Sequence, residues 1–359
     1  MKYYSLKRIL AKDCTYNVIF GERSNGKTYS VLKYGVEQYF KTGGQLAIVR
    51  RWKEDITGRR ASDIFSALIA NDEINTLSGG NFTGVYYWGG KFFLCNYDEK
   101  GKVIYNDSDC FAYVFALSDT EHNKSISYPK VTTVLFDEFI TKLVYLNDEF
   151  VLFMNTLSTI VRQRANVKIF MLGNTVNKFC PYFAEMGLNH VLKMEQGAID
   201  VYTYGNSDLK VAVEYCNNNK SKENNFYFAF NNPKLHMITD GSWELDIYPH
   251  CPLKYKEKDI IFIYFIEFEE QLFQCEIVSR GTNYFTFIHR KTTGLKDLSN
   301  DIIYSLDYHA ELNYNRNIYK PITQLQKRIL WFYQTDRVFY QDNDVGNSIN
   351  TYLTLCRGV

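Results

Sequence analysis

The stretch Gly21–Thr28, with the sequence GERSNGKT, decides the fold of this chain of 359 residues. It fits the pattern G-x-x-x-x-G-K-[ST] of a phosphate-binding loop, or P-loop. Residues 17–20 before it predict a short buried strand, and residues 27–41 after it have a helical pattern. A P-loop requires this order of strand, loop and helix, so the sequence predicts a nucleotide-binding α/β domain.

The residue types of the P-loop indicate how it would bind ATP. Its glycines allow a tight loop whose backbone N–H groups point at phosphate oxygens, and the N-terminus of the following helix favours the same anion. Lys27 can reach the β- and γ-phosphates, and the hydroxyl of Thr28 can coordinate Mg²⁺. The alternative is a chance match in a loop. The predicted ATP-binding residues are Gly21, Arg23, Ser24, Asn25, Gly26, Lys27 and Thr28.

A second motif lies at Val131–Glu138, with the sequence VTTVLFDE. An apolar strand that ends in two carboxylates is typical of a Walker B motif. Asp137 would hold Mg²⁺, and Glu138 would orient and deprotonate the attacking water. Without a P-loop nearby, the pair could equally be two surface acids after a strand.

Two further elements support ATP hydrolysis. The predicted strand 167–172 is followed by Asn174, a residue type that senses the γ-phosphate in motor ATPases. Arg162 and Arg164 follow the predicted helix 148–161, and an arginine can stabilise the charge of a phosphoryl transition state. The alternatives are a plain Gly-Asn turn and cations that favour the C-terminus of a helix.

The alternation of strands and helices in the first half predicts a largely parallel sheet that is covered on both faces. Residues 82–118, which are rich in turn glycines, predict β-hairpins. After about residue 200 the pattern changes. We predict a P-loop ATPase domain at 1–205, a linker region at 206–255 and a small RNase H-like α/β domain at 256–359.

The C-terminal prediction rests on three successive strands between residues 259 and 289 with tight turns. An RNase H-like nuclease needs several carboxylates that converge on two metal ions. Glu267 could supply the first, but Asp301 and Asp307 are its only plausible partners and neither lies in a convincing metal-binding pattern. We therefore expect a docking domain without nuclease activity.

Composition excludes several other classes of protein. Hydrophobic residues make up 46% and charged residues 23%, as in a globular chain. The eight cysteines are scattered without a C-x-x-C pair, which argues against a zinc ribbon and for a reducing cytoplasm. No signal peptide is evident, and the longest apolar run is too short to span a bilayer. Residues 1–60 hold 13 Lys and Arg against 5 Asp and Glu, which suits a polyanionic partner.

Together the motifs resemble a known family, the DNA-encapsidation ATPases of small, protein-primed podophages. The resemblance rests on Ile48–Glu54 (IVRRWKE), Tyr128–Ile140 (YPKVTTVLFDEFI), Arg162–Arg164 and Leu172–Asn174. These elements occur in the family's order and at similar spacing. The resemblance covers about residues 10–190 and is faint beyond them.

The resemblance implies an FtsK/HerA-like, RecA-like (ASCE) ATPase that uses ATP and Mg²⁺. It implies a homo-oligomeric ring, a pentamer, on the capsid portal, with double-stranded DNA in its pore and in some relatives a structural RNA. Such a motor works in the host cytoplasm, on the empty capsid, and not on a membrane. By position, Arg162 matches an arginine finger given to the neighbouring subunit, and Lys53 matches a basic residue near the nucleotide. Ser24 and Asn25 stand where the family can carry further glycine.

Other functions remain possible from the sequence. A nucleoside kinase also uses a P-loop, but the acid pair Asp137 and Glu138 with Asn174 favours water as the nucleophile. A GTPase switch should contain an N-K-x-D element, which does not occur. A scaffold with a decayed P-loop should have lost Lys27 or Thr28. A helicase or translocase without a capsid is the nearest rival.

Duplex DNA should bind independently of sequence through loops of the ATPase domain. Lys124 and Lys142 flank the third predicted strand, and we predict that they line the pore. Their alternative role is that of ordinary surface lysines. Contacts to the DNA backbone would make binding fall steeply with salt.

Overall fold

The computed structural model describes residues 4–23, 25–119, 127–141, 145–162, 164–174, 180–216, 248–251, 253–295 and 300–357. The chain divides into two compact units, Met1–Glu244 and Leu245–Val359. No described helix is long and apolar enough to cross a membrane.

The first unit contains nine strands and seven α-helices within its described residues. The strands are β1 (Tyr16–Gly21), β2 (Gln45–Arg50), β3 (Gly84–Trp88), β4 (Lys91–Tyr97), β5 (Val103–Ala116), β6 (Val131–Asp137), β7 (Lys168–Asn174), β8 (Ile199–Thr203) and β9 (Lys210–Tyr215). The helices are α1 (Lys7–Leu10), α2 (Lys27–Thr42), α3 (Gly58–Ser62), α4 (Ser66–Ala70), α5 (Glu73–Leu77), α6 (Glu149–Val161) and α7 (Pro181–Glu185).

The nine strands form one sheet in the order β3-β4-β5-β2-β6-β7-β1-β9-β8. Its six central strands, β5-β2-β6-β7-β1-β9, run parallel to one another. The pairings at both edges, β3 with β4, β4 with β5 and β8 with β9, are antiparallel. The prediction of a largely parallel sheet is confirmed. The hairpins predicted at 82–118 are β3, β4 and β5.

Helices cover the sheet on both faces, which explains why the central strands are continuously apolar. Successive side chains of a strand point to opposite faces, so Leu135 and Phe136 of β6 belong to two different cores. Val31 and Val36 of α2 join the core that contains Leu135. Phe153 of α6 joins the other. Helices α2 and α6 therefore pack on opposite faces of the P-loop sheet.

The prediction of a linker at residues 206–255 is wrong at its beginning. Residues 210–215 are strand β9, which pairs in parallel with β1, from Tyr16 opposite Val211 to Phe20 opposite Tyr215. Its six residues are too few to show a clear period between polar flanks, yet its neighbour buries most of them. Residues 217–247 of that range lie outside the described residues.

The second unit is built on a six-stranded sheet in the order β14-β13-β10-β11-β12-β15. Its strands are β10 (Ile260–Phe268), β11 (Gln271–Arg280), β12 (Asn283–Arg290), β13 (Ile303–Ser305), β14 (Tyr314–Asn315) and β15 (Val338–Tyr340), and its helices are α8 (Gln324–Gln334) and α9 (Asn343–Arg357). As predicted, β10, β11 and β12 form an antiparallel meander. Strand β13 adds in parallel to β10 on the other side. This arrangement agrees with the predicted RNase H-like fold class.

Candidate nucleotide-binding site

The sheet of the first unit brings the carboxyl ends of β1, β6 and β7 together. Gly21 pairs with Asn174 across β1 and β7, and Asp137 pairs with Leu172 across β6 and β7. Strand β7 thus lies between the P-loop strand and the Walker B strand. Ligands of parallel α/β sheets bind outside this edge, so the three sequence motifs meet where a nucleotide would bind.

The P-loop joins β1 to α2 through backbone that favours glycine. Gly26, at the start of α2, has φ of +89°, in the left-handed region that side chains disfavour. Gly21 has φ of +145°, and a Cβ atom there would stand 3.0 Å from the Cβ of Cys216. Asn25 accepts a hydrogen bond from the backbone N–H of Tyr4 at 2.9 Å. The N-terminal segment and the end of β9 therefore support the loop from both sides.

Two other predicted P-loop residues contribute less to this geometry. Arg23 is exposed, and Ser24 lies outside the described residues. Asn25 orders the loop from within, because its side-chain oxygen accepts the backbone N–H of Lys27 at 3.3 Å.

Lys27 is buried at the centre of the site, although it is a lysine. Its ammonium donates to the backbone oxygens of Gly21 and Glu22 at 3.4 and 2.5 Å and to Oδ1 of Asn174 at 3.4 Å. All three acceptors are neutral. Burial lowers the pKa of Lys27. Because its hydrogen-bond acceptors are neutral, the ammonium can attract an anionic phosphate, and the charges of Asp137 and Glu22 act on it as well.

Thr28 and Asp137 form the predicted metal pair. The Thr28 hydroxyl donates to Oδ1 of Asp137 at 3.1 Å. The other carboxylate oxygen of Asp137 accepts from Arg50 at 2.7 Å. Burial raises the pKa of Asp137, and the charge of Arg50 opposes this shift. The partly buried Thr28 hydroxyl and the buried Asp137 carboxylate supply the hard oxygen atoms that Mg²⁺ prefers.

Glu138 follows Asp137 but points to a different environment. Its side chain is 62% exposed, and its carboxylate forms an ion pair with Arg50, with 2.9 Å between the Arg50 nitrogen and the Glu138 oxygen. Its φ is +63°, a left-handed conformation that is uncommon for residues other than glycine. Asp137 is thus buried where a metal would be held, while Glu138 can reach solvent water.

Sequence reasoning missed the partners of two arginines at the end of β2. Arg50 and Arg51 appeared only within the basic run that carried the family resemblance. In the structure Arg50 binds both Walker B carboxylates, and Arg51 forms a buried ion pair with Glu149 at 2.7 Å. Their adjacency was visible in the sequence, but nothing in the sequence identified the acids they bind.

The two arginines after α6 have different roles. Arg162 is exposed at the C-terminal end of the helix, with φ of +42°. Arg164 donates at 2.5–3.1 Å to the backbone oxygens of Tyr128, Pro129, Val131, Ile160 and Val161. Arg164 therefore joins the end of α6 to the start of β6, and these contacts favour Arg162 over Arg164 as the predicted finger.

The remaining predicted binding residues are not brought to the P-loop by any described contact. Lys53 forms an ion pair with Asp119 at 2.7 Å, and this partner raises the pKa of Lys53. Its place near the nucleotide stays a prediction. Lys124 and Lys142, the predicted DNA contacts, lie outside the described residues.

The residues present fit a magnesium nucleotide. The glycine loop, the start of α2 and Lys27 suit phosphates, and Thr28 with Asp137 suits the metal.

The second unit was predicted to lack a nuclease site, and the nearest candidate acid there is Glu267. This residue lies opposite Ser305 of β13. Among the residues that the structure describes, no three His, Cys, Asp or Glu side chains are grouped to hold a metal ion.

The fold and the site define a RecA-like P-loop protein of the ASCE type. Its sequence matches the profile of the Podovirus DNA encapsidation protein (Gp16) family over residues 1–224. The chain belongs to this family.

Individual relatives agree with this assignment. The DNA packaging protein of Bacillus phage phi29 is 28% identical over 184 residues, which are 50% of this chain and 49% of that protein. The DNA packaging protein of Bacillus phage B103 is 28% identical over 183 residues, 50% of each chain. The matched segment thus spans about half the length of these curated relatives.

Two solved structures show the same fold over almost the whole chain. One is the Phi-28 gp11 DNA packaging motor, with a TM-score of 0.53, 19% identity and coverage of 98% of both chains. The other is the bacteriophage Phi-29 viral genome packaging motor assembly, with a TM-score of 0.56, 18% identity and coverage of 98% of this chain and 99% of that one.

Proposed function

We propose that this protein hydrolyses ATP, with Mg²⁺, to drive double-stranded DNA into a preformed phage capsid. The observation that carries the proposal is the convergence of Lys27, Thr28, Asp137, Glu138 and Asn174 at one edge of the sheet. Family membership and the names of the relatives support genome packaging as the process that ATP hydrolysis would drive.

The protein's own residues divide the work of hydrolysis. Lys27 would bind the β- and γ-phosphates, and the Thr28 hydroxyl and the Asp137 carboxylate would hold Mg²⁺, which would supply charge neutralisation during phosphoryl transfer. Exposed Glu138 orients the attacking water and accepts its proton. Asn174 touches Lys27 and is placed to sense the γ-phosphate.

In the packaging reaction we propose a homo-oligomeric ring, a pentamer as the family resemblance implies. The ring would sit on the portal of the empty capsid in the host cytoplasm, with duplex DNA in its pore and with or without a structural RNA. Exposed Arg162 would complete the site of the neighbouring subunit. Lys53 would contact the nucleotide once the ring has formed.

The decisive experiment measures ATP hydrolysis by the purified protein with and without empty capsids and double-stranded DNA, and also measures DNA that becomes protected from nuclease. We expect both to require ATP and Mg²⁺, and capsids to be necessary for protection. Lys27→Ala is the negative control. Hydrolysis and strand separation that are indifferent to capsids would favour a helicase, and no hydrolysis in any mixture would refute the ATPase proposal.

A further inference from the structure

Arg51 and Glu149 form a buried ion pair beside the Walker B motif. Nε of Arg51 lies 2.7 Å from one carboxylate oxygen of Glu149, and one of its terminal nitrogens lies 2.9 Å from the other. The two side chains are only 7% and 1% exposed. Geometry of this bidentate kind fixes the plane and the direction of a guanidinium group.

The same guanidinium also holds the backbone at the proposed general base. It donates to the backbone oxygen of Glu138 at 3.2 Å and to that of Phe139 at 2.8 Å. Glu138 needs this support because its left-handed backbone, with φ of +63°, is costly for a residue with a side chain. Strained conformations persist where surrounding contacts over-determine them.

Glu149 is itself immobilised by rigid groups. Besides Arg51, its carboxylate accepts the hydroxyl of Tyr182 at 2.9 Å and the backbone N–H of Leu146 at 2.8 Å. The ring of Tyr145 lies 5.0 Å from the guanidinium carbon of Arg51, within cation–π distance. The Glu149 carboxylate is therefore held in place by groups other than Arg51, and it can fix the guanidinium in turn.

Glu138 is thus held from two directions by consecutive arginines at the end of β2. Arg50 binds its carboxylate, whereas Arg51 binds its backbone oxygen. A pair as buried as Arg51 and Glu149 gains little stability over apolar residues of the same size, because both charges lose their hydration. A role in positioning would account for a buried ion pair that contacts the backbone of Glu138 and Phe139.

We infer that Arg51 and Glu149 are positioning residues that fix the backbone of Glu138 and so aim its carboxylate at the attacking water. The inference rests on the proposed function, since it requires Glu138 to be the general base. It predicts that loss of the pair lowers kcat while ATP binding is retained, because the pair touches neither Lys27 nor Thr28.

The test is a double-mutant cycle with Glu138→Gln. The pair is replaced by apolar residues of similar size, Arg51→Met with Glu149→Leu, in the wild-type and in the Glu138→Gln background. Kinetics give kcat, a fluorescent ATP analogue gives the dissociation constant, and thermal unfolding reports stability. In the wild-type background we expect kcat to fall by about 10²-fold, the scale of a small misplacement of a catalytic group. In the Glu138→Gln background the further fall should be less than about threefold.

A matched control comes from a buried glutamate of the second unit. Glu276 accepts hydrogen bonds from Tyr255 at 2.6 Å and Gln274 at 2.7 Å, and pairs with His289 at 3.2 Å. Glu276→Gln should lower stability but leave kcat within about twofold of wild type. The same behaviour from the Arg51 and Glu149 replacements would assign them a structural role only.

Further outcomes separate the inference from the proposed function. An equal, additive loss in both backgrounds, or lost nucleotide binding, would overturn the inference and leave the ATPase proposal standing. If the apolar pair does not fold, Arg51→Lys and Glu149→Gln replace it, and a failure of these to fold would make the pair structural. A wild-type protein without ATPase activity would overturn both proposals.

Discussion

Two strands of this protein end in the same way in sequence and differently in space. Strand β6 runs into Asp137 and Glu138, and β10 runs into Glu269 and Glu270. Both are largely apolar strands with two consecutive acids at or just beyond their C-terminal end. Asp137 and Glu138 meet Thr28 and Arg50. Glu269 and Glu270, both with positive φ, form the tight turn that leads into β11.

The difference lies in the direction of the neighbouring strands. A hairpin returns the chain at once, so an acid pair in its turn is left near the residues of its own two strands. Parallel strands gather several strand ends at one edge, where groups from distant parts of the sequence can meet. The P-loop and Walker B motifs can form one site because their strands end at the same edge of the sheet. The antiparallel meander of the second unit has no such shared edge.

The largest effect is expected from Lys27→Ala. This change removes the buried ammonium that faces the phosphates, and we expect ATP hydrolysis to be abolished. A phosphate-release assay with saturating ATP measures it, and circular dichroism checks that the fold is intact. Residual turnover near the wild-type rate would mean that this sheet edge is not the site.

Glu138→Gln should bind ATP normally and hydrolyse it far more slowly. Loss of a general base typically costs about 10²–10⁴-fold in rate. The hairpin counterpart, Glu270→Gln, should leave kcat unchanged. Equal effects of the two substitutions would erase the contrast between the strand ends, and near-normal turnover by Glu138→Gln would remove Glu138 as the base.

Arg162→Ala should retain ATP binding and lose hydrolysis as a homogeneous ring. Mixing it with Lys27→Ala subunits should restore part of the activity, because one variant supplies an intact site and the other an intact finger. Arg164→Lys is the matched control, and should lower thermal stability without any gain on mixing. Absence of rescue at every mixing ratio would place Arg162 in its own subunit's site or in a structural role.

Glu269→Gln should change the pH dependence of stability. Glu269 is exposed at its turn, yet the protein atoms around its carboxyl exclude part of the solvent and raise its pKa from the usual value near 4.5 to about 7. Its contribution to stability is fully present below pH ~4.5 and is lost as the pH rises through 7, because the folded state binds the proton more tightly. Because Gln stays neutral, the free energy of unfolding of Glu269→Gln relative to wild type should be higher at pH 8 than at pH 5. Urea unfolding at pH 5 and pH 8 measures this, and equal differences at both pH values would contradict it.

The smallest effect is expected from Glu267→Ala. We predict no nuclease activity in the second unit, so this change should alter neither ATP hydrolysis nor the integrity of plasmid DNA. The measurement is incubation with plasmid and Mn²⁺ or Mg²⁺. Metal-dependent cleavage by the wild type that disappears in Glu267→Ala would make the second unit a nuclease and not a docking domain.

The sequence predicted those parts of the site that lie within single motifs. Lys27, Thr28, Asp137 and Asn174 each stand at a fixed place relative to a strand end, so their meeting followed from the parallel order of strands. The partners of Arg51 and Arg164 could not be predicted, since they come from backbone oxygens and from a helix that only the folded chain brings near. Strand β9 was not predicted for the same reason, because its short apolar run becomes a buried strand only through its pairing with β1.

The position of β1 in the sheet has a consequence for how the chain is made. This strand emerges early from the ribosome, but its two neighbours, β7 and β9, follow at residues 168–174 and 210–215. Such sequence-distant pairings are slow to form, and exposed apolar strands invite aggregation until they do. The P-loop therefore remains unsupported throughout most of translation. A nascent chain should not retain ATP until about residue 216 has left the exit tunnel, and until then β1 is a natural target for chaperones.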